Sequence, residues 1–584
     1  MKTIYKVFSA GLAGCAIGLT LTSCNDFIDV EPQGVISENL AMSQPNELVT
    51  SAYAKLGDDW YTYPFNLWPY ADVSTDDAMK GGSGTTDTNY HPVEVWSTLT
   101  ASTPDHMDEL WYHFYCSISR CNRALVSLAE YGEDKLGAET KAIREGEVRF
   151  LRAHFYFKLV QMWYQVPWVD EEVYKNHTEE QTPNNQFTHE ELMEKIVADF
   201  KAAYDVLPVE QQEGGRANKI AAAAYLAKCY LTMAWGDGYE ATTGVNHINQ
   251  EYMKKVLEYT EVVKNSRYGY LEDFGDIFLP EYKNSKESIF AVQHSGYEDD
   301  NTLYGRANWS NMLNGCWHVW SCGWDFHKPT QNLVNAFKTD ADGFPMFNDF
   351  NNVTAYPVNG VPTAQKWDPR LFHTVGMPTF PYKYEAEFTL TTDNSRTPNT
   401  YGYYTSLKEV PQRSKGETFD NPWQAFAMND YVLRYTDVML MRAEAMVETG
   451  DLEGARAIVN DIRQRAKNSV AKHIGYAADQ CNISLYPAGD FATKEQARLR
   501  VQWERRLELA MEGSRYWNLR RWGIASTTLN KFFDKEKDVV YEGQTYAQYY
   551  KDAHYTPAKN EYFPLPYIQL YYVPGLYTQN KGYN

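Results

Sequence analysis

Apolar residues recur at helical spacing in two blocks of the chain. In the first, about 46–266, the stripes predict helices over Trp111–Leu128, Ala142–Trp163, Glu190–Val206, Asn218–Ala234 and Tyr252–Lys264. Pro167 and Pro208 forbid continuation past two of them. In the second block, about 431–522, the pattern predicts Tyr431–Glu448, Leu452–Ala466 and Lys494–Glu512, with Thr449-Gly450-Asp451 as a turn. Small Ala443 and Ala455 alternate with larger Met446 and Val459, similar to the positions of a tetratricopeptide helix pair. The expected fold class is mainly α: such pairs in a curved stack, with a large loop-rich insert carrying short strands.

The insert, 267–430, breaks the helical period. Gly, Pro, Asn, Asp and aromatics dominate it, and only short runs such as Ser288–Gln293 read as strands. A loop-rich segment of this length is uncommon unless it is functional. From Phe532 the chain is again irregular. The expected division is a leader (1–23), an N-terminal helical region (24–266), the insert (267–430) and a C-terminal helix pair with its tail (431–584), the last three forming one unit.

Charge narrows the function. The 584 residues carry 76 acidic and 55 basic side chains, a net −21. Phosphate binding needs a basic face, so this balance argues against nucleic acid and against adsorption to anionic lipid. Aromatics make up 15% of the residues, which excludes a disordered chain. The eight Cys are sparse and form no zinc spacing. Cys316 and Cys322 could bridge in an oxidising compartment.

At the N-terminus, Lys2 and Lys6 precede an apolar stretch from Val7 to Leu21, too short and Gly-rich for a comfortable membrane span. Leu21-Thr22-Ser23-Cys24 follows and resembles a bacterial lipobox. Cleavage before Cys24 would leave its thiol to carry a diacylglyceride, the chain's only membrane anchor. An ordinary signal peptide with a chance Cys is the competing reading.

Several longer segments, taken in order, resemble the SusD/RagB family of outer-membrane nutrient-binding lipoproteins. They are Cys24–Asp29, the acidic turn Asp72–Asp77, Trp111–Leu125 with Arg120 and Asn122, and Gly146–Pro167 (GEVRFLRAHFYFKLVQMWYQVP). Gly215–Tyr230, Phe274–Phe290, Arg434–Ala445, Glu504–Gly523 and the terminal QNKGY continue the series. Tyr164-Gln165 stand where the family usually has a glycine. The resemblance implies helix pairs with a loop-rich face opposite. It also implies a surface-exposed, non-enzymatic outer-membrane lipoprotein that binds oligosaccharides and delivers them to a SusC-like TonB-dependent transporter. Peptide capture, as in RagB-type members, is the alternative. A glycoside hydrolase is a third reading, and it lacks an assignable acid–base pair.

Glycan binding needs aromatic faces for the C–H side of a sugar and polar groups for its hydroxyls. Asn301–Lys328 supplies both: Tyr304, Trp309, Trp317, Trp320 and Trp324 with Arg306 and Asn308, alongside Asn301, Asn311 and Asn314. Filling a small core of the insert's own is the competing role for these Trp residues, and His318 reads as a bystander. The Gly-rich loop Lys80–Trp96 adds Tyr90 and Trp96 as candidates. Trp60, Trp68 and Tyr70 read as structural. Asp76-Asp77 reads as a turn cap rather than a catalytic dyad. The mixed charges of Glu504–Arg521 read as an intramolecular ion-pair network. No cofactor is implied; a structural calcium among the Asp-rich loops is possible, but no spacing specifies one.

Overall fold

The computed structural model describes residues 37–103, 106–236, 244–245, 247–296, 306–320, 323–352, 355–356, 361–362, 364–415, 425–537, 540–541, 544–545 and 549–583. The leader, the lipidation candidate Cys24, Asn301, Tyr304 and Cys322 lie outside them.

The protein is mainly α-helical, with short sheets of two or three strands among the described residues. After α1 (Pro45–Ala54) come α2 (His106–Leu136), α3 (Ala138–Met162), α4 (His189–Val206), α5 (Lys219–Trp235) and α6 (Gln250–Lys264). Each of α2 to α6 packs on the next, and α6 packs on α7 (Tyr435–Thr449). Helix α7 then pairs with α8 (Leu452–Asn468) and meets α9 (Lys494–Glu508). The chain continues through α10 (Arg515–Arg521), α11 (Ala525–Glu536) and α12 (Tyr567–Tyr572).

Local chemistry sets the boundaries. Thr188 and Glu191 form a capping box at the start of α4. The Asn218 side chain accepts the Ala221 N–H at the start of α5. Gly450 takes the left-handed conformation that closes α7, and Asp451 caps α8. Ala443, Ala455 and Val459 are fully buried in one cluster with Val447, so the small residues do let α7 and α8 approach closely.

Several helix ends differ from the sequence reading, with α2 extending to Leu136 and α9 stopping at Glu508, and two further differences are instructive. Helix α7 begins at Tyr435, because Asp430–Arg434 is a strand paired antiparallel with Ser288–Val292. Pairing with a distant strand overrides the local helical period there. Phe532 is not irregular: it lies in α11 and is buried.

Buried ion pairs join these parts. The Glu508 carboxylate accepts from Arg370, Arg434 and Arg465, while Glu287 also meets Arg434 and Arg465. All five side chains are at least 96% buried. Such charges persist in an interior only when paired and hydrogen-bonded. The Glu504–Arg521 segment is therefore an internal network, as expected. The C-terminal tail clamps the N-terminal helices: Trp163 Nε1 donates to the Pro564 carbonyl at 2.9 Å, and Trp96 stacks on Phe563.

Candidate functional site

Strand β1 (Ala78–Gly81) pairs antiparallel with β2 (Phe326–Pro329), with Gly81 opposite Phe326. This pairing brings the Gly-rich loop to the end of the Trp-rich segment. Gly81 has φ +81°, and a Cβ there would stand 2.2 Å from the Asp325 carbonyl oxygen. Only glycine fits such an approach. Lys80 then fixes the loop from inside. Its ammonium donates to the carbonyls of Gly81, Gly84 and Asp87 at 3.0, 2.7 and 2.8 Å. Burial pulls its pKa down to about 8.

A third segment completes the face. The Arg396 guanidinium lies over two rings, 5.2 Å from Trp317 and 5.0 Å from Trp324. Its Nη1 is 3.6 Å from an Asp87 carboxylate oxygen, which itself accepts from the Ser83 N–H and hydroxyl. The Thr397 hydroxyl donates to the Gly82 carbonyl at 2.8 Å. Buried Asp325 accepts the Arg396 N–H at 2.9 Å and the Lys328 ammonium at 2.6 Å. Burial raises the Asp325 pKa despite the opposing pull of Lys328. Trp317 and Trp324 are half-buried, and His318 is exposed beside Trp317. The result is a rigid face of two Trp rings, one guanidinium and one carboxylate.

The candidates divide on this geometry. Trp317 and Trp324 meet here. Trp320 is half-buried against Tyr382 and Phe426 in a satellite core. Trp309 is buried, with its ring 5.0 Å from that of Trp60. Asn308 is buried and donates to the Met428 carbonyl. Arg306 is exposed but borders a different cavity, beside Thr50, Tyr53 and His294.

Tyr90 and Trp96 are corrected. Both are 0% exposed. The Tyr90 hydroxyl donates to the Tyr61 carbonyl, and Trp96 Nε1 donates to the Ser74 carbonyl. Their rings fill the core between the acidic turn and the tail, so neither has a free face for a ligand. The sequence reading missed Lys80, Asp325 and Arg396. Arg396 lies in a polar run with no periodic signal, and only the fold sets it beside tryptophans about 70–80 residues earlier.

Other chemistry is accounted for. Arg506 and Arg515 bind Asp76 and Asp77. Burial raises the Asp76 pKa, but these two cations outweigh it and hold the carboxyl below its usual range. Burial, with the neighbouring Asp76 charge, leaves the Asp77 pKa raised despite the same two cations, and both carboxyl groups are taken up by these guanidiniums. Among the described residues the Cys316 thiol has no disulfide partner; it faces the Asn394 carbonyl, and burial pushes its pKa up to about 12. Among the described residues, Asp273, Asp276 and His473 bring ligand atoms within 4.8 Å of one another. Lys472 donates to both Asp276 oxygens at 2.6 Å, so an ammonium already takes that carboxylate. No helix of the described residues is long and apolar enough to cross a membrane.

Comparison with known proteins places the chain. Residues 26–231 match a family model described as starch-binding associating with outer membrane. A SusD-like protein of Bacteroides ovatus is 25% identical over 314 residues, 52% of this chain and 53% of that protein, so the match spans about half of that relative. SusD-like protein P2 of Formosa agariphila is 24% identical over 520 residues, 86% of this chain and 88% of that protein. Among solved structures, surface glycan-binding protein A from Bacteroides thetaiotaomicron, in complex with laminarihexaose, is similar with a TM-score of 0.64. It is 18% identical, covering 92% of this chain and 99% of that one, a likeness of fold. Residues 286–583 match the SusD family model, which is more than half of the chain, and the chain therefore belongs to the SusD family.

Proposed function

We propose that this protein is a non-catalytic oligosaccharide-binding lipoprotein of the outer membrane, displayed at the surface and anchored through Cys24. It hands its ligand to a SusC-like TonB-dependent transporter. The observation that carries the binding role is the Trp317–Arg396–Trp324 face with Asp87 at its edge. Trp rings accept the C–H face of a sugar, while guanidinium and carboxylate take hydroxyls on its rim. The laminarihexaose complex of a protein with the same fold supports this ligand class. The lipobox-like Leu21-Thr22-Ser23-Cys24 supports the anchor.

The test is calorimetric titration of a soluble chain beginning at Asn25 against a glycan panel that includes laminarihexaose, with a peptide panel alongside. The expected result is glycan binding that weakens about tenfold or more in Trp317→Ala. Binding of peptides and no glycan would overturn the reading. A Cys24→Ala protein that stayed with the membrane fraction would overturn the anchor.

A further inference from the structure

We infer that α12 and the loop that displays it form a lipid-contact surface, which rests on the uncharged part of the membrane that holds Cys24. The inference builds on the anchor proposed above.

The loop is built to present this helix. Its ends are tied together at the base: the Leu565 N–H donates to Gln579 Oε1 at 2.7 Å, and Gln579 Nε2 donates to the Leu565 carbonyl at 2.9 Å. Loops closed in this way hold a fixed shape and are frequently functional. Asn184 fastens the same base, accepting the Thr578 N–H and donating to the Thr578 carbonyl, both at 2.8 Å. The Tyr567 N–H donates to the Ala101 carbonyl at 3.0 Å, and Gln569 donates to Asp108 on α2 at 2.8 Å. Leu570 and Tyr577 pack on the core. What remains outward is apolar. Tyr567, Ile568, Tyr571 and Tyr572 are exposed, Tyr571 by 69% and Tyr572 by 71%. Exposed apolar side chains scattered singly are ordinary, but four on one six-residue helix mark an interaction surface. Tyr112, one helical turn after Asp108 on α2, is exposed as well.

Charge selects the occupant. Residues 562–580 contain no Asp, Glu, Lys or Arg, in a chain that is 22% charged. A protein-binding face surrounds its apolar centre with a polar rim, and this loop supplies no charged one. The one amide of the helix is spent on Asp108, so no amide is left for sugar hydroxyls. Tyrosine suits lipid: the ring enters the apolar side of the interface and the hydroxyl stays at headgroup level. The acidic chain is held off anionic surfaces by its own charge, and the segment without charge is where it can approach a membrane.

Anchor and patch can meet the same membrane. Glu38, near the start of the described residues, pairs with Arg123 on α2. Arg123 lies about 22 Å along that helix from Asp108. The stretch from Cys24 to Ser37 spans up to about 43 Å when extended. A lipid on Cys24 therefore reaches the level of α12, and the tether turns a weak contact into an effective one.

The test is co-sedimentation of the soluble chain beginning at Asn25 with sucrose-loaded phosphatidylcholine vesicles at millimolar lipid. The wild type is expected to bind, with little change between low and high salt. Tyr571→Ser with Tyr572→Ser is expected to weaken binding about tenfold or more, and Ile568→Asp to act in the same direction. Glycan affinity is expected to stay at the wild-type level in both. If the double variant fails to fold by circular dichroism, Ile568→Asp carries the test. The inference falls if the wild type does not bind neutral vesicles, if the variants bind them as wild type, or if binding requires phosphatidylglycerol. Loss of glycan affinity in the variants would assign the patch to sugar instead. A dimer in sedimentation velocity that the variants abolish would assign it to a second copy of the chain, and either result overturns the inference. The vesicle assay contains no anchor and the glycan titration no lipid, so failure here leaves the readings of Cys24 and of the Trp317 face intact.

Discussion

Arg506 donates from Nε and Nη2 to one carboxylate oxygen of Asp77, at 2.8 and 2.6 Å, across 429 residues of sequence. Both side chains are at most 3% exposed. Removing Arg506 leaves buried Asp77 with only Arg515, 3.8 Å away, to offset its charge. Arg506→Met is expected to cost about 3–5 kcal/mol in chemical denaturation. A loss below about 1 kcal/mol would show that the turn does not depend on this contact.

His327 predicts a pH dependence. It is buried between Asp72, at 3.2 Å, and Glu409. Burial opposes its charge, but the Glu409 and Asp72 carboxylates outweigh burial and lift its pKa to about 9. The folded value lies above the unfolded one of about 6.5. The stabilisation is therefore complete below about pH 6.5 and fades as pH rises through about 9. The difference in unfolding free energy between wild type and His327→Gln should shrink by on the order of 3 kcal/mol across that window. Subtracting the two curves cancels the other groups, and a flat difference would refute the assignment.

Gly81→Ala tests the approach of the two loops. The added methyl meets the Asp325 carbonyl, and the backbone sits at φ +81°. A cost of about 1–3 kcal/mol is expected, together with weaker glycan binding, because Asp325 positions the Arg396 backbone. Wild-type affinity in this variant would detach the loop from the platform.

Trp96→Ala separates a core ring from a ligand ring. With 0% exposure, its loss should cost about 3–5 kcal/mol in thermal or chemical unfolding. Glycan affinity of the folded fraction should not change. Unaltered stability with lost binding would restore the ligand role.

The helices were legible because their signals are local. Stripe, cap and stop lie within a few residues, as at Thr188 with Glu191 and at Gly450 with Asp451. The strand at Asp430–Arg434 was not, because its partner lies about 140 residues earlier and no local pattern announces it. The Trp317–Arg396–Trp324 grouping was half legible. Composition pointed to the Trp-rich segment, but four Trp residues near one another in sequence do not share one environment. Trp309 turns to the core, Trp320 to a satellite cluster, and Trp317 and Trp324 to Arg396. Left-handed backbone at His318 and Asp325 reorients the chain between them, which breaks any count of spacing.

The clamp made by the C-terminal tail bears on how the protein comes to be folded at all. Trp163 and Trp96 find their partners at Pro564 and Phe563, about 400 residues or more further along the chain. Before those residues exist, both indoles lack their final neighbours. This part of the core therefore cannot close until residues 563–564 have been made, and until then the chain exposes apolar surface of the kind that aggregates. Truncating it before Pro564 should yield aggregates rather than a smaller soluble unit.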